Sequence, residues 1–134
     1  MAIEWQDSHS LGDSEIDAQH QTLFVLVNAL LDAAEPSRLK EAMANLLRHT
    51  QDHFTHEETI MREMGYPDMR THVEQHNTLI SKLTKVSELV ANYTFHMANL
   101  ETYLAAWLFN HIETLDTPLV NYIRLRQGNS PVNQ

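Results

Sequence analysis

Apolar residues recur along this chain at helical spacing, not in alternation. From Ala18 the first stripe runs Leu23, Phe24, Val27, Leu30 and Leu31, the i, i+3, i+4 pattern of a helix that buries one face. Residues Met1 to Asp17 are mixed and carry Gly12, and they read as an N-terminal arm. Pro36 and Ser37 interrupt the pattern, with Ser37 able to cap the next helix. A second stripe runs Leu39, Met43, Leu46, Leu47, Phe54, Ile60, Met61 and Met64, and Gly65-Tyr66-Pro67 stops it. Glycine suits the left-handed position beyond a helix end, and proline cannot continue the helix. Asp68 can cap the third stripe: Val73, Leu79, Ile80, Leu83, Val86 and Val90. The fourth holds Met97, Leu100, Leu104, Trp107, Leu108 and Leu115. Pro118 restricts Thr117 and is expected to end that helix, with a short fifth helix over Leu119 to Leu125. Four long amphipathic segments with short connections predict an all-α fold, an antiparallel up-down-up-down four-helix bundle with an N-terminal arm. The bundle is expected over residues 1–126, and residues 127–134 read as a polar tail or linker.

Composition narrows the chemistry. Hydrophobic residues make up 43% of the 134, enough for a packed core and against wholesale disorder. Eighteen acidic against nine basic residues leave a formal charge of -9, so no nucleic-acid partner is expected, since a phosphate backbone needs cationic contacts. Cysteine is absent, which excludes disulfides, thiolate metal sites and a thiol nucleophile. Met1 to Ser10 hold no basic stretch followed by an apolar run, and no segment approaches the ~20 apolar residues of a membrane helix. A cytoplasmic protein without a membrane partner is therefore expected. Histidine, at nine residues, is far above ordinary usage and has no bland compositional reason.

The helical stripes give most of those histidines a place. His53 and Glu57 are four apart on the second helix, and His72 and His76 are four apart on the third. Four residues turn a helix by about 400°, so each pair shares one face. Both pairs continue an apolar stripe and should point inward, where polar groups are costly unless satisfied. His20 stands one turn before Phe24, and His111 one turn after Trp107. Asp116 lies five residues beyond His111, which is about 140° off the same face of a regular helix. That pair needs a loosened or π-like turn, or a helix end. A lone pair of this kind would be weak, but seven ligand-type residues at core-facing positions on four helices are not. Five imidazoles and two carboxylates without sulfur suit a pair of iron ions better than manganese or zinc. His56-Glu57 begins an H-E-x-x-H, but Ile60 fills its last position, and no E-x-x-H or G-x-S-x-G is present, so zincin, ferritin-like and α/β-hydrolase sites are not supported. His9 and His96 read as solvated, His49 as a partly exposed neighbour of the site, and His56 and Glu58 as turned away from Glu57's face.

Taken together, Ile16-Asp17-Ala18-Gln19-His20, His53-Phe54-Thr55-His56-Glu57-Glu58, Gly65-Tyr66-Pro67 with His72 and His76, and Trp107-Leu108-x-x-His111-Ile112-x-x-x-Asp116 resemble the bacterial hemerythrins. The early Glu4-Trp5 is similar to that family's N-terminal arm. The resemblance implies two iron ions with an oxo or hydroxo bridge, one held by His72, His76 and His111, the other by His20 and His53 with a position open for O2. Glu57 and Asp116 would bridge the two. Phe24 and Leu108 are the expected lining of the O2 pocket, with Trp107 and Ile112 on its flanks. The activity implied is reversible O2 binding for transport or storage, not catalysis. The alternative is O2 or redox sensing within a larger signalling protein, such as a diguanylate cyclase or chemotaxis receptor. A di-iron oxidase, peroxidase or nitric-oxide-handling enzyme ranks third, because only His49 and Tyr103 suggest themselves as proton donors.

Overall fold

A computed structural model describes residues 3–92 and 94–128. Helix α1 spans Ser14–Asp32, starting four residues ahead of its apolar stripe. The reason is Asp13, whose carboxylate accepts from the backbone N–H of Glu15 at 3.2 Å and Ile16 at 3.0 Å, satisfying donors that the first turn leaves bare. Helix α2 spans Pro36–Met64. Ser37 does not cap it but lies inside its first turn. Pro36 opens the helix, where its missing N–H breaks no bond. Gly65 ends α2 in the left-handed region at φ 64°, and Asp68 precedes α3, Met69–Ala91.

The fourth segment differs from expectation. Helix α4 spans Met97–His111, continues as a π-helical turn over Ile112–Asp116, and passes without a break into α5, Thr117–Arg126. Pro118 therefore does not end the helix. It lies in the first turn of α5, and the wide turn before it absorbs the hydrogen bond that proline cannot make. The backbone N–H of Thr117 reaches Ile112 O, five residues back, and its hydroxyl donates to the same carbonyl at 2.9 Å.

Helix α2 packs against α1 and α3, and α1 against α4. The Trp107 indole N–H donates to Leu79 O at 3.4 Å, joining α4 to α3. The four helices thus close into the expected bundle, with no strand among the described residues. Leu23, Leu46, Leu83 and Leu104, one from each helix, have no exposed surface. Burying each contributes roughly 1.5–3 kcal/mol. No helix among the described residues is long and apolar enough to cross a membrane.

The arm is tied down along its length. Asn28 on α1 mimics a strand partner: its amide oxygen accepts from Ile3 N and its amide nitrogen donates to Ile3 O, both at 2.7 Å. Asp17 gathers the Ser10 hydroxyl and the backbone N–H groups of Leu11 and Gly12 at 2.7–3.2 Å. Between these ties, Trp5 and His9 pack against Phe24 at 5.3 Å between ring centroids, and His9 also meets Phe109 at 5.2 Å. His9 is thus half-buried in an aromatic cluster, not solvated, and burial lowers its pKa. His96 is exposed at the start of α4, as expected. Of the expected tail, residues 129–134 lie outside the described residues.

Candidate metal centre

All seven residues singled out by spacing arrive in one place. His20, His53, Glu57, His72, His76, His111 and Asp116 are each no more than 3% exposed. Helix α1 supplies His20, α2 supplies His53 and Glu57, and α3 supplies His72 and His76, all from inward stripes. The π turn completes the set. It is closed by i to i+5 hydrogen bonds, so residues five apart stand nearly one above the other. That brings Asp116 Oδ2 to 3.0 Å from His111 Nε2, outside hydrogen-bond geometry.

The five imidazoles converge through Nε2 on the two carboxylates. Glu57 turns Oε1 to His72 and His76 at 3.3 and 3.0 Å, and Oε2 to His53 at 3.6 Å. Asp116 turns Oδ2 to His20, His53 and His111 at 2.6, 3.2 and 3.0 Å, and Oδ1 to His72 at 3.6 Å. Each carboxylate thus offers one oxygen to each of two histidine sets. Two tetrads of potential ligand atoms result, His20/His53/His111/Asp116 and Glu57/His72/His76/Asp116. The grouping departs from the implied division at one residue. His111 sides with His20 and His53, not with His72 and His76, because the Asp116 oxygen that it meets also faces His20 and His53.

Burial sets the electrostatics. The Glu57 carboxyl is pushed well above 4.5, first by burial and then by the charge of Asp116. Burial also pushes Asp116 up, but His111, His20 and His53 around its carboxylate outweigh it and hold the group well below 3.8. Burial lowers His53, and lowers His76 to about 3 with help from His72 beside it. Both imidazoles are therefore neutral at ordinary pH, the form that binds a metal. Glu57 Oε2 and Asp116 Oδ1 are buried without a hydrogen-bond partner among the described residues. Unpartnered carboxyl oxygens beside the neutral imidazoles of His53 and His76 form a nitrogen and oxygen donor set that fits cations.

Residues that spacing did not single out hold this set in place. His53 Nδ1 donates to Gln19 Oε1 at 2.6 Å, and His76 Nδ1 to Glu58 Oε2 at 2.9 Å. Phe54 stacks face to face on His76, 3.8 Å between centroids and 5° from parallel, and stands edge-on to His111. The signals existed. Gln19 is a polar residue on the buried stripe of α1, three after Ile16 and four before Leu23. A metal-binding imidazole also needs an acceptor for its other nitrogen. His56 does point away from Glu57, toward Gln19 and Glu15. His49 is half-buried, and its Nε2 has no hydrogen-bond partner among the described residues. Phe24, Leu108, Trp107 and Ile112 are all buried, with Trp107 edge-on to His111 and Phe24 packed under the arm. A groove of about 240 Å³ between α3 and α4, with Gln75, Lys82 and Asn110 on its walls, reaches Trp107 and His111.

Comparison with known proteins bears on this geometry. The profile of the hemerythrin HHE cation binding domain matches residues 11–123. Bacteriohemerythrin of Pseudomonas paraeruginosa is 32% identical over 91% of this chain and 82% of its own. That of Ralstonia nicotianae is 26% identical over 92% and 90%. Myohemerythrin of Riftia pachyptila is 29% identical over 84% and 86%. The crystal structure of wild-type hemerythrin matches the fold with a TM-score of 0.76 at 25% identity, over 87% of this chain and 93% of that one.

Proposed function

The chain belongs to the hemerythrin family, and on that premise we propose that it binds O2 reversibly at two iron ions, as a carrier or store and not as an enzyme. His20, His53, His72, His76 and His111 would hold the irons, with Glu57 and Asp116 bridging them. One observation carries this reading: each buried carboxylate divides its two oxygens between two sets of histidines, the disposition that a bridging ligand requires. Bound there, the two irons would supply the electrons and the coordination position that uptake of O2 needs. The chain's own residues keep the site dry. Leu108, fully buried one turn before His111, and Phe24, one turn after His20, are proposed to line the O2 pocket. Phe54 seals the His76 side. The carrier reading is placed ahead of the sensory one because the matched relatives are bacteriohemerythrins and myohemerythrins.

Metal analysis and spectroscopy test the proposal. The purified chain should hold two irons and change its absorption reversibly as O2 is admitted and removed. A single zinc per chain, or a spectrum indifferent to O2, refutes it.

A further inference from the structure

We infer that Gln19 is a positioning residue for the centre, fixing the metal-facing nitrogen of His53 through a neutral amide and so making the His53 side a weaker electron donor than the His76 side. This rests on the reading of His53 and His76 as iron ligands. Gln19 Oε1 lies 2.6 Å from His53 Nδ1. An amide oxygen only accepts, so the His53 proton sits on Nδ1. Nε2 is left with its lone pair, facing Asp116 and Glu57. The amide cannot easily flip, because its nitrogen donates to His56 Nδ1 at 3.0 Å. His56 Nε2 in turn meets Glu15 Oε1 at 3.2 Å, at a side chain 69% exposed. Glu15 and Gln19 are one turn apart on α1, and His53 and His56 one turn apart on α2. Four polar groups thus interlock across the helix interface, running from the buried centre to solvent.

The equivalent place on the other side holds a charge. His76 Nδ1 meets the Glu58 carboxylate at 2.9 Å. A carboxylate accepting from the far nitrogen raises the basicity of a ligating imidazole, and such outer partners are worth about 10–100-fold in metal affinity. An amide fixes orientation without adding charge. The two metal positions are therefore made unequal by residues that touch neither bridging carboxylate, and the amide-held side is the one less able to stabilise a ferric ion.

Two variants separate orientation from charge. Gln19→Met removes the acceptor at similar size, and Gln19→Glu keeps it and adds charge. Co(II) is titrated into the full chain against a competing chelator, with helicity followed by circular dichroism, and the midpoint potential of the iron-loaded protein is measured. Gln19→Met should bind one Co(II) as wild type and the second about 10–100-fold more weakly. Gln19→Glu should restore the second affinity and shift the midpoint to more negative potential. Unchanged binding of both Co(II) by Gln19→Met, or an unchanged potential in Gln19→Glu, overturns the inference. If Gln19→Met does not fold, the potential of Gln19→Glu decides alone. Fewer than two Co(II) in the wild type would overturn the two-metal reading itself, and this inference with it.

Discussion

Replacing Glu57 with glutamine should stabilise the metal-free protein and weaken the loaded one. Glu57 has no exposed surface, and its Oε2 lacks a hydrogen-bond partner among the described residues. Burial and the neighbouring Asp116 hold its pKa well above 4.5. The folded state therefore keeps this proton more tightly than the unfolded chain does. The stability tied to it is fully present below 4.5 and is lost as pH rises through the raised folded value. The metal-free wild type bears more of that penalty the further the pH rises above 4.5. Glutamine bears none, and its amide N–H can replace the acidic proton that Glu57 would offer to Asp116.

Leaving a buried polar group unpaired costs about 1–3 kcal/mol. For a domain of this size each kcal/mol moves the melting temperature by about 3–5 °C, so metal-free Glu57→Gln should melt roughly 3–15 °C higher at pH 8. The gap should close toward pH 4.5. His76, held at about 3, costs stability in both proteins as pH falls below 6.5. Metal reverses the order. Ligand at about a thousand times its Kd adds about 4 kcal/mol to the wild type, and the variant, with one bridging carboxylate lost, gains much less. Thermal melts at pH 5 and 8, with and without metal, give all four values. A variant that melts below wild type without metal, or a gap of the same size at both pH values, refutes the account of Glu57 as a buried carboxylate that only a cation relieves.

Acid should release the metal, because imidazoles must be neutral to bind it. Metal retained after gel filtration should fall as pH drops from about 6 to 4, and full retention at pH 4 would contradict histidine ligation. Gly65→Ala should cost about 1–2 kcal/mol, the left-handed backbone penalty alone, because nothing lies within 4 Å of an added Cβ. A loss above that range in urea unfolding would mean a contact there. Asn28→Ala removes both bonds to Ile3 and should cost about 1–3 kcal/mol in all. Hydrogen exchange should quicken over the arm, and Trp5 fluorescence should shift to the red, while the inner turns of α2 and α3 stay protected. Uniform quickening would show that the arm is not a separate unit.

How much of the molecule is legible in its sequence depends on which interactions are local. Helical periodicity alone brought His53 with Glu57 and His72 with His76 to the interior, because four-residue spacing is a property of one helix. Gly65 could be read as a stop for the same reason. The start of α1 was missed because Asp13 lies in a polar stretch whose only mark is its reach to Glu15 N and Ile16 N. Gln19 and Glu58 were missed because their roles depend on the facing helix. The pairing of His111 with Asp116 lies between these cases. Five residues cannot share a face of a regular helix, so the spacing demanded either a widened turn or an end, and Pro118 argued for an end. The choice was made elsewhere. Asp116 faces histidines from α1, α2 and α3 as well as His111, and only a turn that widens and then continues holds it there while α5 buries Leu119, Val120 and Ile123. A break after His111 would leave Asp116 without those partners and α5 without its register. The π turn is thus a local irregularity that three other helices impose.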